Sequence, residues 1–204
     1  MTDLWLFLPA CFALNLTFGP SNLLSVTFGA QQGVGFAVVA GTARLVAFAP
    51  MILASALGLG ALLSVSAVAF GVLKVLGAAY LIYLGVRLLI DAKPKDLGET
   101  TAPMSLRAAL RSEGTVALTN PKAILIFTVF LPQFVNVDRY WSSYAVVGLS
   151  FLVLEVAAIA TYAALGRLAR TFAATRLHWL QRASGVGMIL FGGLMVFARQ
   201  PAEL

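Results

Sequence analysis

Long apolar blocks separated by short polar segments run along the whole chain. No residue between Leu4 and Ala43 carries a charge, and further apolar blocks follow as far as residue 198. A membrane-spanning helix needs about 20 apolar residues. The blocks therefore predict six spans, near residues 4–28, 36–62, 67–90, 113–135, 142–166 and 180–198. Membrane strands would instead be segments of about ten residues with alternating polarity, and these blocks do not alternate. The pattern predicts an all-α integral membrane protein.

Composition agrees with a lipid environment. Hydrophobic residues make up 60% of the 204 residues, the mean hydropathy is +0.93, and only 11% of the residues are charged, against about 25% in soluble domains. The first apolar block lacks the basic segment that begins a signal peptide, so we expect it to remain as a helix. The net charge of +6 comes from residues in short loops beside the spans, where basic residues set orientation. We therefore expect no nucleic-acid partner.

The basic residues concentrate on one side of the predicted membrane. The loops after spans 3 and 5, with their flanks, hold nine of them: Arg87, Lys93, Lys95, Arg107, Arg111, Arg167, Arg170, Arg176 and Arg182. The opposite side holds three: Lys74, Arg139 and Arg199. By the positive-inside rule the two basic loops face the cytoplasm, and both termini lie on the outer side.

The polar linker "DAKPKDLGETTAP" (91–103) divides the chain into two halves of three spans each, 1–90 and 104–204. Each half contains a similar stretch, "LTFGPSNLLS" (16–25) in the first and "LTNPKAILIF" (118–127) in the second. The third span of each half carries two glycines eight positions apart: Gly77 and Gly85, Gly185 and Gly193. Because three is an odd number, the second half must cross the membrane in the opposite direction. The sequence predicts two inverted three-helix repeats, an arrangement common in transporters.

Gly19-Pro20 and Asn120-Pro121 interrupt the corresponding spans of the two halves. Proline removes a backbone hydrogen bond, and inside lipid the freed groups need other partners. In transporters built from repeats, unwound helices at corresponding positions line the substrate site. The alternative is a pair of ordinary kinks, but the matched positions favour a site. Three neutral polar residues beside the prolines could bind substrate or simply join helices: Ser21, Asn22 and Asn120.

Glu155 lies near the centre of the fifth span. A charged side chain at that depth costs roughly 2.5 to 3.5 kcal/mol, so we expect a carboxyl group that gains and loses a proton. The alternative is a structural role, as a neutral hydrogen-bonded group or as the fixed partner of Arg44 or Lys122. Tyr162 follows two helical turns later on the same face and is a candidate for the site or for the aromatic belt at the membrane surface.

Arg44 and Lys122 are cations within predicted spans. Either could bind a substrate carboxylate, Arg44 through two parallel hydrogen bonds and Lys122 as a point charge. Either side chain could instead extend to the cytoplasmic surface. For Arg44 the two alternatives stay open, whereas the position of Lys122 directly after Pro121 favours the site.

Cys11 is the single cysteine, so the chain by itself forms neither a disulfide nor a dithiol redox centre. The sequence shows no cluster of metal ligands and no set of nucleophile, histidine and acid. We expect no cofactor, no metal and no enzymatic activity.

Three stretches resemble the LysE superfamily of amino-acid exporters, and most of all its homoserine, threonine and neutral amino-acid export branch: "FGPSNLL", "VLKVLGAAYLIYLGVRLL" (72–89) and "LTNPKAILIFTVFLPQFV" (118–135). "LEVAAIATYAALGRL" (154–168) adds a weaker match. The resemblance implies proton-driven export of amino acids or their analogues across the bacterial inner membrane, so both termini would be periplasmic. It also implies functional roles for Gly19, Pro20, Asn120, Pro121, Lys122 and Glu155.

Two departures from the family pattern concern the substrate. Phe18 stands where relatives commonly have a proline before Gly-Pro, and Arg44 stands where they have a small or acidic residue. A cation near the site disfavours a lysine-like substrate, so we expect a neutral zwitterion. The expected partners are the substrate, protons and the bilayer, and a homo-oligomer is compatible with the sequence. Two alternatives remain: an exporter of another small molecule, such as a lipophilic signal or a toxic analogue, and a non-transporting assembly subunit.

Overall fold

The computed structural model describes residues 4–65, 67–90, 104–172, 182–183, 185–190 and 192–193, and all regular structure in them is helical. The helices are α1 (Leu4–Asn15), α2 (Pro20–Gln32), α3 (Val34–Val65), α4 (Ala67–Ile90), α5 (Leu106–Thr119), α6 (Pro121–Leu125) and α7 (Tyr140–Phe172). A π-helical turn, Ile126–Phe130, and a 3₁₀ turn, Leu131–Phe134, continue α6, and a second 3₁₀ turn, Val137–Arg139, precedes α7. The predicted all-α class is confirmed for this part of the chain.

The described residues contain two candidate membrane spans, or up to four if each of two bent helix pairs is a single span. Two are single helices, Val34–Gly58 and Val137–Leu168, and two are bent pairs. In the first pair, α1 and α2 meet at 63°, and in the second, α5 and the helical segment Pro121–Phe134 meet at 50°. Helix α4 coincides with the predicted third span, 67–90. Most of the predicted sixth span, 180–198, and the linker 91–103 lie outside the described residues.

Both predicted breaks are confirmed. Pro20 is the first residue of α2. At this position the N–H group has no partner within the helix, so its absence in proline costs no helical hydrogen bond. Asn120 has the extended backbone that a following proline imposes, with φ −75° and ψ 110°. Its side-chain Oδ1 accepts a hydrogen bond from the N–H of Lys122 at 3.0 Å and so caps α6. Proline chemistry therefore sets the start of both second segments.

Helix α5 begins at Leu106, seven residues before the predicted start of the fourth span near residue 113. The Oγ of Ser105 caps it by accepting from the N–H of Ala108 at 3.4 Å. Its buried residues recur every four positions, at Ala109, Glu113 and Ala117, so one face is buried while the other is exposed and carries Arg107 and Arg111. The predicted start was wrong because a helix with one apolar face lacks the continuous apolar run that identified the other spans.

The central packing unit brings α2 against α7, and α3 against both α5 and α7. Phenylalanine rings fill the space between α3, α7 and the π-helical turn, with Phe48, Phe127 and Phe151 in edge-to-face contact at centroid distances of 5.0 to 5.7 Å. The α2–α3 connection is Gly33, whose φ of 93° lies in the left-handed region that favours glycine.

Helix α4 packs closely against the described part of the segment 182–193. A Cβ atom added to Gly85 would lie 2.6 Å from the carbonyl oxygen of Gly185, and one added to Gly192 would lie 2.8 Å from that of Ala78. Because residue numbers rise along one element as they fall along the other, the two run antiparallel. Small residues permit this close approach, as in other membrane helix pairs.

We expect Gly29→Ala to destabilise the fold through the α2–α7 contact. A Cβ atom at Gly29 would lie 2.6 Å from the Cα atom of Ala163, and backbone cannot rotate away as a side chain can. Overpacking of this kind costs about 1 to 3 kcal/mol, which thermal unfolding of the purified protein measures. Gly35→Ala is the matched control, since no described heavy atom lies within 4 Å of its added Cβ; an equal loss in both variants would contradict the prediction.

Candidate functional site

The break between α1 and α2 leaves backbone carbonyl groups without helical partners, and side chains satisfy them. The Nδ2 of Asn22 donates to the carbonyl oxygens of Asn15 and Thr17, at 2.9 Å in both cases. The hydroxyl of Tyr162 donates to the carbonyl oxygen of Leu16 at 2.5 Å. Because an unsatisfied carbonyl inside lipid costs several kcal/mol, these bonds stabilise the break. Tyr162 is buried, with 2% exposed, so its alternative placement in a surface belt is wrong.

The two breaks contact each other. The Nζ of Lys122 donates to the carbonyl oxygen of Thr17 at 2.7 Å, and the Nδ2 of Asn120 donates to the Oγ of Ser21 at 3.0 Å. Lys122 is 8% exposed, so its side chain is buried beside the first break and does not extend to the surface. An ammonium group carries three N–H bonds, and the Thr17 carbonyl accepts one of them.

Arg44 is completely buried and joins α3 to three other helices. Its Nε and Nη2 donate to the Oε2 of Glu113 on α5, at 3.1 and 2.8 Å, and its Nη1 donates to the Oε1 of Glu155 on α7 at 2.7 Å. On α2 it donates to three further acceptors: the Oδ1 of Asn22, the carbonyl oxygen of Ser21 and the Oγ of Ser25.

These bonds engage all five N–H groups of the Arg44 guanidinium. The alternative that Arg44 extends to the membrane surface is therefore wrong. Arg44 stays inside the protein because two buried carboxylates compensate its charge. In this conformation no N–H of Arg44 is left for a substrate carboxylate, and its binding role stays a prediction.

Glu113 and Glu155 share Arg44 but differ in environment. Glu113 is 0% exposed and accepts both bonds through Oε2, while its Oε1 has no hydrogen-bond partner among the described residues. Glu155 is 5% exposed and accepts one bond from Arg44. The structure therefore places Glu155 as a partner of Arg44, one of the alternatives that the sequence left open. Sequence analysis missed Glu113, although its place between Ala109 and Ala117 on one helical face was a signal.

A cavity of about 20 Å³ lies between the two breaks. Its lining residues are Asn15, Gly19, Ser21, Asn22, Phe48, Asn120, Lys122, Ala123, Ile126, Phe151 and Glu155. This volume suits about one water molecule, so in this conformation the cavity is too small for an amino acid. Its two charged lining groups have opposite signs, with Lys122 from the second break and Glu155 from α7.

Most of the predicted site residues meet at this cavity. Six of them line it: Gly19, Ser21, Asn22, Asn120, Lys122 and Glu155. The other four lie around it. Pro20 and Pro121 begin α2 and α6, Arg44 is bonded to Glu155, and Tyr162 donates to the first break. Asn15, which sequence analysis did not single out, also lines the cavity.

Comparison with known proteins identifies the family. The LysE type translocator family matches residues 12–199. The chain belongs to the LysE family. This confirms the resemblance noted in the sequence, and members of this family are transporters rather than enzymes, which agrees with the expectation.

Named relatives agree with this membership in the LysE family. The homoserine/homoserine lactone efflux protein of Salmonella typhimurium is 30% identical over 204 residues, which cover 98% of this chain and 99% of the relative. A leucine efflux protein of Enterobacter sp. is 29% identical over 74% of this chain and 70% of its own length. An uncharacterized membrane protein of Pseudomonas aeruginosa is 37% identical over 76% of this chain and 72% of its own. No solved structure matches the chain.

Proposed function

We propose that this LysE-family protein exports small neutral amino acids or their analogues across the bacterial inner membrane, driven by the proton motive force. The observation that carries the proposal is the pair of opposite charges lining one cavity, Lys122 and Glu155. A neutral amino acid carries the complementary pair, a carboxylate and an ammonium group. The relatives named for efflux of homoserine, homoserine lactone and leucine support this substrate class.

The proposed architecture has six spans in two inverted repeats, 1–90 and 104–204, with both termini periplasmic. Two features support it. The bent helices occupy corresponding places in the two halves, and the antiparallel contact of α4 with the segment 182–193 is what inverted third helices would form. Transporters with such repeats hold their substrates between broken helices near the membrane midplane.

In the proposed mechanism Lys122 binds the substrate carboxylate, while Glu155 binds the substrate ammonium in one state and a proton in another. Glu155 is now bonded to Arg44, so substrate or proton must replace this bond. Glu113 keeps Arg44 paired when Glu155 leaves. Arg44 joins α2, α3, α5 and α7. Release of Glu155 therefore loosens the contact of α7 with the other three helices and allows the small cavity to widen.

Proton entry supplies enough energy for concentrative export. Moving one charge across 100 mV provides about 2.3 kcal/mol, which corresponds to roughly a fiftyfold concentration ratio. A single carboxyl group that alternates between proton and substrate therefore suffices for useful coupling.

Efflux of a panel of radiolabelled amino acids from proteoliposomes, under an imposed proton gradient, tests this function. We expect gradient-dependent efflux of one or more small neutral amino acids. If no amino acid in the panel leaves the proteoliposomes faster than it leaves protein-free vesicles loaded in the same way, the proposal is wrong. Efflux of a lipophilic signal or a toxic analogue instead would establish the alternative exporter, and efflux of none of these would favour an assembly subunit.

We expect Lys122→Met to raise the KM for the exported amino acid by about tenfold or more, since a hydrogen bond to a charged group contributes about 1.5 to 3 kcal/mol. Tracer efflux at several internal substrate concentrations measures this. Arg107→Met removes a cation from the exposed face of α5 and is expected to leave KM unchanged. An unchanged KM in Lys122→Met would exclude Lys122 as the carboxylate ligand.

A further inference from the structure

Asn15, the last residue of α1, lines the cavity and carries an acceptor without a partner among the described residues. Its side chain is buried, with 1% exposed, and it lines the cavity. The Nδ2 donates to the carbonyl oxygen of Phe151 at 3.4 Å, whereas the Oδ1 has no hydrogen-bond partner among the described residues. Buried polar groups are nearly always paired, so this acceptor is available to a donor that enters the cavity.

Asn15 contacts the turn of α7 that leads to Glu155. The carbonyl oxygen of Phe151 accepts the hydrogen bond from Asn15. Phe151 precedes Glu155 by four residues on α7, so Phe151 and Glu155 occupy one helical face a single turn apart. Both line the same cavity. Asn15 therefore projects from α1 toward the turn of α7 that carries Glu155.

Other amide oxygens at the cavity are already engaged. The Oδ1 of Asn22 accepts from Arg44 at 3.2 Å, and the Oδ1 of Asn120 accepts from the N–H of Lys122 at 3.0 Å. The carboxyl end of a helix also carries partial negative charge, and Asn15 forms that end of α1.

We propose that Asn15 is a further substrate-binding residue, which accepts a hydrogen bond from the substrate ammonium group beside Glu155. An ammonium group offers three N–H bonds. Glu155 supplies a charged acceptor for one, and the Oδ1 of Asn15 supplies a neutral acceptor for another. This inference rests on the proposed function, because it assigns a second residue to the ammonium end of the same substrate.

Two substitutions of similar size separate this role from a structural one. Asn15→Leu removes both the donor and the acceptor, whereas Asn15→Asp keeps only acceptors. A ligand role uses the acceptor, and a structural role uses the Nδ2 that bonds Phe151. In proteoliposomes we expect Asn15→Leu to raise the KM for the exported amino acid by about tenfold, and Asn15→Asp to keep it within about threefold of the unmodified protein.

The inference is overturned if both variants raise KM alike, since loss of the donor would then explain the effect, or if Asn15→Leu leaves KM unchanged. Where Asn15→Leu does not reconstitute, Asn15→Ala takes its place. Thr161→Ala, which removes an exposed hydroxyl that donates to the carbonyl of Ala157 on its own helix, should leave KM unchanged. If the unmodified protein exports no amino acid, the proposed function itself fails, and this inference fails with it.

Discussion

The Glu155→Gln variant is expected to reach the membrane in folded form and to lose proton-driven export. Glutamine has nearly the same shape as glutamate, and its Oε1 can still accept from Arg44, so the packing around α7 survives. It can neither take up a proton nor offer a negative charge to the substrate ammonium. We expect gradient-driven efflux to fall by at least about tenfold, and substrate-dependent proton entry, followed with a pH-sensitive dye, to disappear.

Glu113→Gln provides the matched comparison, because both carboxylates bind the same guanidinium. Glu155 is one of the cavity's lining residues and Glu113 is not. Glu113→Gln should therefore retain substrate-dependent proton entry while lowering thermal stability. Proton entry of normal size in Glu155→Gln, or its loss in Glu113→Gln alone, would assign coupling to a different carboxyl group.

Arg44→Met is expected to cause the largest loss of stability among these substitutions. The change leaves Glu113 and Glu155 buried without their cation, and breaking a buried ion pair from one side costs about 3 to 5 kcal/mol. Arg44→Lys should restore little, because a single ammonium group on a flexible stem cannot reproduce the planar guanidinium that reaches acceptors on three helices. Thermal unfolding of purified variants measures the loss.

Combining Arg44→Met with Glu113→Gln should recover part of that stability, since one uncompensated charge is removed. Arg107→Met on the exposed face of α5 should unfold at the temperature of the unmodified protein. An Arg44→Met variant with unchanged unfolding temperature would show that the charge cluster of Arg44, Glu113 and Glu155 does not hold α2, α3, α5 and α7 together.

The helical class and the two breaks could be predicted because they depend on local chemistry. A long apolar run needs no partner to be recognised, and proline, which lacks an N–H, fits the first turn of a helix better than its interior, although Pro9 and Pro50 lie inside α1 and α3. Pro20 and Pro121 therefore marked the starts of α2 and α6 correctly. The matched positions of the two breaks in the two halves then indicated which of the two interpretations to favour.

The charge cluster could not be predicted because it depends on how the helices are rotated and packed. Arg44 is separated from Glu113 by 69 residues and from Glu155 by 111 residues along the chain. No local sequence pattern indicates which helix faces meet. Glu113 lay at the edge of its predicted span, where a charge looked ordinary. Asn15 looked like an isolated polar residue, and only the unpaired Oδ1 in the structure distinguishes it.

The central claim is that one cavity binds both charged ends of a zwitterion. Calorimetric titration of the purified protein with its exported amino acid, with the carboxamide that keeps only the ammonium, and with the 2-hydroxy acid that keeps only the carboxylate, tests it most directly. We expect each analogue to bind at least about tenfold more weakly than the amino acid. Equal affinity for all three compounds would contradict it.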